Sequence, residues 1–168
     1  MPAPLVAEAR ALVPAGVDVI AGGETRQETV HLALGQVSSD RVVVHDAARP
    51  FASVDLVARL LAALDGAEGA VLGVPVDETV KRVSGTEVVE TVDRSDLWRS
   101  QTPQAFSTSS LKAAHERASE EEVVVTDDAQ LIERYGGRVV MVEGSPRNIK
   151  LTRPEDFVVA EAMLGAMS

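Results

Sequence analysis

Short β-branched runs alternate with stretches of helical spacing along the first half of the chain, and this alternation constrains the fold more than any other feature. Leu5 to Val13 has helical spacing and is closed by Pro14 and Gly16; Val17-Asp18-Val19-Ile20-Ala21 then reads as a strand ending in Gly22-Gly23. Thr25-Arg26-Gln27-Glu28 reads as a capping box, in which the Thr25 hydroxyl and the Glu28 carboxylate each satisfy an amide of the first turn. The helix it opens carries Val30, Leu34 and Val37 on one face, and Ser38-Ser39-Asp40 turns into Arg41-Val42-Val43-Val44, a run of the kind that fills a buried parallel strand. Ser53 caps a helix through Leu64 with a stripe of Leu56, Leu60, Leu61 and Leu64, and Gly69 to Val76 is the next buried strand. Strand, helix, strand, helix, strand predicts an α/β sheet with mostly parallel strands and right-handed crossovers.

The pattern then changes. Thr79 to Val83 and Val88 to Val92 flank Ser84-Gly85-Thr86 and read as a hairpin leaving the main sheet. A two-stranded hairpin is marginal alone, so a second subunit is the economical thing for it to pack against. Asp93 to Ser100 is expected as a short helix bearing Trp98, Gln101 to Phe106 as extended chain, and Ser110 to Ser119 as a helix. Thr126 or Asp127 caps a further helix that runs through Tyr135 and is ended by Gly136-Gly137. Arg138 to Val142 is a strand and Asn148 to Leu151 a short extended piece. Thr152-Arg153-Pro154-Glu155 is a second capping box, opening a last helix with Phe157, Ala160 and Leu164 inward. The expectation is one domain over residues 1–168, with a β-arm at about 77–106.

Sixteen basic against twenty-six acidic side chains give a formal charge of −10, which repels nucleic acid and anionic membrane at long range; neither is an expected partner. A small phosphorylated ligand meets the same repulsion, so it requires a local cluster of cations in a cleft. Lysine is scarce, with only Lys81, Lys112 and Lys150. No apolar run approaches the ~20 residues a bilayer span needs. The N-terminus lacks a secretory pattern and the chain has no cysteine, which fits a cytoplasmic location.

Chemistry is expected where the Arg41–Val44 strand runs out, at His45-Asp46-Ala47-Ala48-Arg49-Pro50-Phe51. Ligands of open α/β sheets bind beyond the carboxyl ends of the strands, and this loop places a carboxylate and a guanidinium there. Taken alone, Asp-x-x-Arg is better explained by a salt-bridged turn closed by Pro50, and it is the rest of the chain that favours a site. Gly22-Gly23 before a helix N-terminus lets a ligand approach backbone donors, although a turn plus a cap accounts for it too. His31, His45 and His115 have no spacing that suggests a shared site.

In order, GGETRQETV, VHDAARPF, TVDR, QTPQAF, TDDAQLIE and GSPRNIKLTRPED resemble the 2-C-methyl-D-erythritol 4-phosphate cytidylyltransferase family over nearly the whole chain. The resemblance implies a Rossmann-like nucleotidyltransferase fold with a protruding β-arm, and a homodimer with exchanged arms. It implies transfer of CMP from CTP to the methylerythritol phosphate with release of pyrophosphate, and Mg²⁺ bound mainly through the CTP phosphates. Carried over by motif, Gly23, Glu24 and Thr29 meet the cytosine and Ala47 the ribose. Asp46, Arg49, Thr126 and Lys150 hold the methylerythritol phosphate, with Lys150, Arg49 and Asp46 as the catalytic set, and Thr91 reaches across to the partner's site. No residue is singled out as a metal ligand. An arginine that some members carry just after the TPQ-F block is Thr108 here, which makes Arg147, Arg94 or Arg99 candidates to position phosphate instead.

Family members begin with a strand, a glycine-rich loop carrying an Arg and a Lys for the CTP phosphates, a helix and a second strand; these 168 residues hold no such unit. The expectation is therefore an N-terminally truncated form of the fold, weakly active or inactive alone. Two other readings remain open at this stage: a pentitol-phosphate cytidylyltransferase, and a non-catalytic dimerising module that binds a sugar phosphate.

Overall fold

The chain's organising strand is one that points against its neighbours. A computed structural model describes residues 3–166, which run as α1 (Val6–Leu12), α2 (Arg26–Leu34), β1 (Arg41–Val44), α3 (Val54–Ala63), β2 (Gly69–Pro75), β3 (Val80–Ser84), β4 (Glu87–Val92), β5 (Trp98–Ser107), α4 (Thr108–Glu120), α5 (Ala129–Arg134), β6 (Val139–Glu143) and α6 (Pro154–Gly165). The main sheet has the order β1-β5-β2-β6. β5 is antiparallel to both β1 and β2, while β2 and β6 are parallel. Thus β1, β2 and β6 share one direction, as the alternation predicts, but only one of the three pairings is parallel. The cause is the hairpin β3–β4: chain leaving β2 turns back through it and re-enters the sheet reversed, as β5.

Alternation along β2 sends its side chains to two helical layers. Ala70 and Leu72 pack with Ala105 under Leu56, Leu60 and Leu64 of α3, so the predicted leucine stripe is a core face. Val71 and Phe106 pack on the other side with Leu34 of α2, Leu111, Ala114 and Ala118 of α4, and Leu131 and Ile132 of α5. Leu60 and Leu72 are fully buried, each worth about 2 kcal/mol of transfer free energy. The first three helices of this core begin on side-chain caps: Thr25, Ser53 and Ser107 accept from the amides of Glu28, Leu56 and Ser110. At α5 the Asp127 carboxylate accepts from the Gln130 amide, and Gly136 adopts φ +82 just beyond the helix, a conformation that favours glycine.

Four expectations are corrected. Val17 to Ala21 is not a strand, because no strand among the described residues faces it. Asp93 to Ser100 is not a helix: the Leu97 amide closes a turn onto Arg94, and Trp98 and Arg99 already pair with Pro75 and Val74. Both capping boxes are displaced. Glu28 accepts from the Glu24 amide rather than from Thr25, and at α6 it is Asp156, not Glu155, that takes the amides of Thr152 and Arg153 and the Thr152 hydroxyl. On α6 only Ala160 is buried; Phe157 and Leu164 are more than half exposed. The repeat that placed them inward scores apolar spacing alone, and α6 is apolar around most of its circumference, so spacing could not select a face.

No helix among the described residues is long and apolar enough to cross a membrane. The hairpin β3–β4 forms its own two-stranded sheet, with Val83, Val88 and Val89 exposed.

Candidate active site

Beyond the end of β1, the chain is held in place from β5. Thr102 Oγ1 accepts from the Asp46 amide at 3.0 Å and bonds His45 Nδ1 at 3.2 Å, while His45 Nε2 donates to the Arg49 carbonyl at 3.0 Å. Thr102 thereby fixes the start of the turn, and His45 carries the hold on to its end. The loop after β6 docks against it: the Leu151 amide donates to the Ala48 carbonyl at 2.8 Å and Arg49 Nη1 donates to the Asn148 carbonyl at 2.7 Å. Asn148 is fully buried, its amide donating to the Thr102 carbonyl at 2.9 Å. Two loops far apart in the sequence are thus locked edge to edge by backbone and buried amide bonds.

That docking brings Lys150 Nζ to 2.8 Å from Asp46 Oδ2, and Arg26 Nε of α2 to 3.2 Å from Asp46 Oδ1. Arg26 also bonds Asp128 Oδ2 at 2.6 Å, and the other Asp128 oxygen bonds His115 Nε2 at 3.0 Å. The cleft in front of these groups has a volume of about 230 Å³ and is lined by Arg26, Asp46, Arg49, Ser100, Gln101, Thr102, Gln104, Thr126, Asp127 and Lys150. That is small for a drug-sized ligand, and suits a compact polar molecule or one end of a larger one. Burial alone would push the Asp46 carboxyl up; the Lys150 hydrogen bond and the Arg26 charge outweigh it and hold Asp46 below the usual aspartate range. Asp128 follows the same balance, with His115 and Arg26 overcoming a stronger burial. Arg49 is lowered by burial, offset in part by Asp46, and its Nε is buried with no hydrogen-bond partner in the structure. Nη1 is committed to the Asn148 carbonyl, which leaves Nη2 as the end of the guanidinium with donors to spare for an anion.

Asp46, Arg49, Thr126 and Lys150, singled out in the sequence from three separate blocks, line this one cleft. The other predicted residues do not. Thr91 lies exposed on β4, accepting from Lys81 Nζ at 2.6 Å. Gly23, Glu24 and Thr29 cluster at the start of α2, where Thr29 Oγ1 accepts from the Gly23 amide at 3.1 Å and donates to the Thr25 carbonyl at 2.9 Å. A Cβ on Gly23 would meet the end of the exposed Glu28 side chain, which would have to swing aside. Ala47 is exposed at the apex of the turn between Asp46 and Arg49. Thr108 is buried at the start of α4, beyond the opposite end of β5 from the cleft, its amide bonded to the Asp40 carbonyl. Among its suggested replacements, Arg94 and Arg99 are both engaged with Asp77 at the base of the hairpin, and Arg147 lines a different cleft with Phe51 and Arg59.

Sequence reasoning missed Arg26, Asp128 and His115. Arg26 is the first residue of α2, where the helix dipole disfavours a cation, which makes the position unusual without naming its partner. For the histidines the correction is plain. His31 and His115 stack with ring centroids 5.8 Å apart, and His115 joins the charged chain that ends in the cleft. Among the described residues no three His, Asp or Glu side chains converge as metal ligands, and both oxygens of Asp46 are engaged by cations.

Residues 5–166 match the family model described as 2-C-methyl-D-erythritol 4-phosphate cytidylyltransferase. The chain is 47% identical over 154 residues to the curated 2-C-methyl-D-erythritol 4-phosphate cytidylyltransferase of Bacillus velezensis, covering 90% of this chain and 66% of that protein. It is 46% identical over 147 residues to that of Halalkalibacterium halodurans, covering 87% and 64%. It therefore spans slightly under two thirds of the length of these curated relatives. Among solved structures, the protein of the same name from Thermus thermophilus superposes with a TM-score of 0.82 at 38% identity, over 90% of this chain and 79% of that one. The 4-diphosphocytidyl-2C-methyl-D-erythritol synthase of Anaerococcus prevotii superposes with a TM-score of 0.85 at 30% identity, over 96% and 76%.

Proposed function

Because the chain belongs to the 2-C-methyl-D-erythritol 4-phosphate cytidylyltransferase family, with its Rossmann-like nucleotidyltransferase fold, we propose that it transfers CMP from CTP to 2-C-methyl-D-erythritol 4-phosphate and releases pyrophosphate. The observation that carries this reading is the convergence of Asp46, Arg49 and Lys150 on one cleft. The reaction has a phosphate oxygen of the sugar alcohol attacking the α-phosphorus of CTP, in line with the departing pyrophosphate. Two anions must be brought together, so positioning and charge neutralisation carry most of the catalysis. Lys150 supplies a point charge to the attacking phosphate and Arg49 a planar fork. Asp46 holds Lys150 at 2.8 Å ready for that role, and its oxygens are acceptors of the right kind for a polyol hydroxyl.

Mg²⁺ belongs to this reading as an ion carried by the triphosphate, since Mg²⁺ is usually held by one or two carboxylates plus substrate phosphates. Of the two carboxylates that line the cleft, Asp46 is engaged by Arg26 and Lys150 and Asp127 caps α5 through the Gln130 amide, so these residues form no cage for a metal and no step is assigned through it. The exposed apolar hairpin, with Val83, Val88 and Val89 uncovered, fits pairing of two copies, which would carry Thr91 toward the partner's cleft. The partners in this reading are CTP, methylerythritol phosphate and a second copy of the chain.

The test is incubation of the protein with α-labelled CTP, Mg²⁺ and either methylerythritol phosphate or ribitol phosphate, with binding of each sugar phosphate followed by calorimetry. Labelled diphosphocytidyl-methylerythritol with equimolar pyrophosphate is the expected product, formed at the reduced rate expected of these 168 residues alone. Preferential turnover of ribitol phosphate overturns the substrate, and binding of methylerythritol phosphate without pyrophosphate release overturns the activity.

A further inference from the structure

Arg26 is the one cation of the cleft that the family motifs did not assign, and three observations about it agree. It opens α2 against the sense of the helix dipole, so its position is maintained by something other than local helix chemistry. Its guanidinium is gripped at two points, by Asp46 at 3.2 Å and by Asp128 at 2.6 Å. Behind it, Asp128 and His115 are both essentially inaccessible, at 1% and 2% exposure, and bond each other at 3.0 Å. Burying a carboxylate and an imidazole side by side is costly unless each is fully paired. Here the pairing that completes the set is Arg26, whose side chain is about a third exposed and lines the cleft.

We infer that Arg26 grips the phosphate of the sugar-alcohol phosphate alongside Arg49 and Lys150, and that buried Asp128 and His115 are positioning residues that hold its guanidinium in place. A guanidinium offers five N–H donors and the two carboxylates engage two of its nitrogens, leaving Nη2 to meet a ligand. The length of an arginine side chain makes a fixed guanidinium entropically expensive; anchoring it from a buried carboxylate removes that cost before the ligand arrives. The His31 ring, stacked on His115, closes the chain on its far side. Of the other candidates for phosphate contact, Arg94 and Arg99 are engaged with Asp77 and Arg147 lines a different cleft.

The inference rests on the proposed function, and calorimetry with methylerythritol phosphate separates the two. R26Q is expected to weaken binding about 10- to 100-fold, as loss of a charge-assisted bond does, and R26K to recover part of it. D128N is expected to weaken it about tenfold in the wild-type background, the smaller end of the same range, yet to add nothing measurable in the R26Q background, because it acts only through Arg26. In turnover, both variants raise KM for methylerythritol phosphate and leave KM for CTP unchanged. Should D128N not fold, H115L replaces it in the cycle, with H115Q, which keeps a donor toward Asp128, restoring affinity. Wild-type affinity in R26Q, or a D128N effect equally large with Arg26 absent, overturns the inference. Failure of the wild-type protein to bind methylerythritol phosphate overturns the proposed function and this inference with it.

Discussion

Two ion pairs of nearly equal length divide this molecule. In the hairpin, Arg82 and Glu90 meet at 2.5 Å with side chains 64% and 51% exposed; behind the cleft, Arg26 and Asp128 meet at 2.6 Å with the carboxylate 1% exposed. Distance does not distinguish them, and desolvation does. An exposed pair exchanges water for a partner at nearly equal free energy. A buried carboxylate has given up its water and depends on the partners it holds, so removing one leaves an uncompensated charge. The hairpin pair decorates two strands that do not need it, whereas the cleft pairs fix where Arg26 and Lys150 stand.

The largest effect expected from this contrast is at Asp128. Asp128→Ala leaves His115 without its partner and Arg26 with one anchor, and is expected to cost about 3–5 kcal/mol in urea unfolding; a cost below about 1 kcal/mol would place this pair with the hairpin. Lys150→Ala should separate function from stability. Lys150 is 44% exposed on its side chain, so little stability is lost, while affinity for methylerythritol phosphate falls about 10- to 100-fold by calorimetry. Equal losses in both would mean that Lys150 serves the loop and not a ligand.

How far the sequence reveals such a division depends on the range of the interactions. Leu56, Leu60 and Leu64 announce their face through a local period, and the caps at Thr25 and Ser53 announce helix starts through local chemistry. Asp46, Arg49, Thr126 and Lys150 were legible because they stand in motif blocks, and their convergence on one cleft follows from the docking of the 45–50 and 148–151 loops. Arg26 and Asp128 stand in motif blocks as well, but the resemblance gives them no role, and a salt bridge across 102 residues leaves no mark of its partner in either local pattern. The reversal of β5 was hidden for the same reason: strand direction is set by how the hairpin returns the chain. Val17 to Ala21 shows the converse, a strand-like pattern with no facing strand among the described residues.

Acid provides a third, gentler probe of the same contrast. Asp46 and Asp128 both have folded-state pKa values below the ordinary 3.8, because neighbouring cations outweigh their burial. Depressed carboxylates contribute stability that is fully present above the unfolded pKa and is lost as pH falls through the folded one. Stability should therefore be flat from about pH 7 to about 5 on this account and decline below about 4 as the two carboxylates protonate. Urea midpoints measured for Asp46→Asn across that range are expected to fall less steeply than those of the wild type. Parallel curves would show that Asp46 does not contribute to the acid limb.

The smallest effect belongs to the hairpin. Truncating Arg82 and Glu90 singly and together to alanine should give a coupling of no more than about 0.5 kcal/mol, vanishing in molar salt, as for other exposed pairs. This near-null result carries information because it is conditional on exposure. Val83, Val88 and Val89 leave apolar surface uncovered on the same hairpin, and a second copy of the chain that enclosed the hairpin would desolvate both charges. The coupling would then rise toward the values of the cleft, above about 1.5 kcal/mol, and would depend on protein concentration. Measuring the cycle at dilute and at high concentration turns the weakest ion pair into a reporter of assembly: a constant small coupling means that the hairpin pair stays in water, and a rising one means that the hairpin acquires the environment the cleft already has.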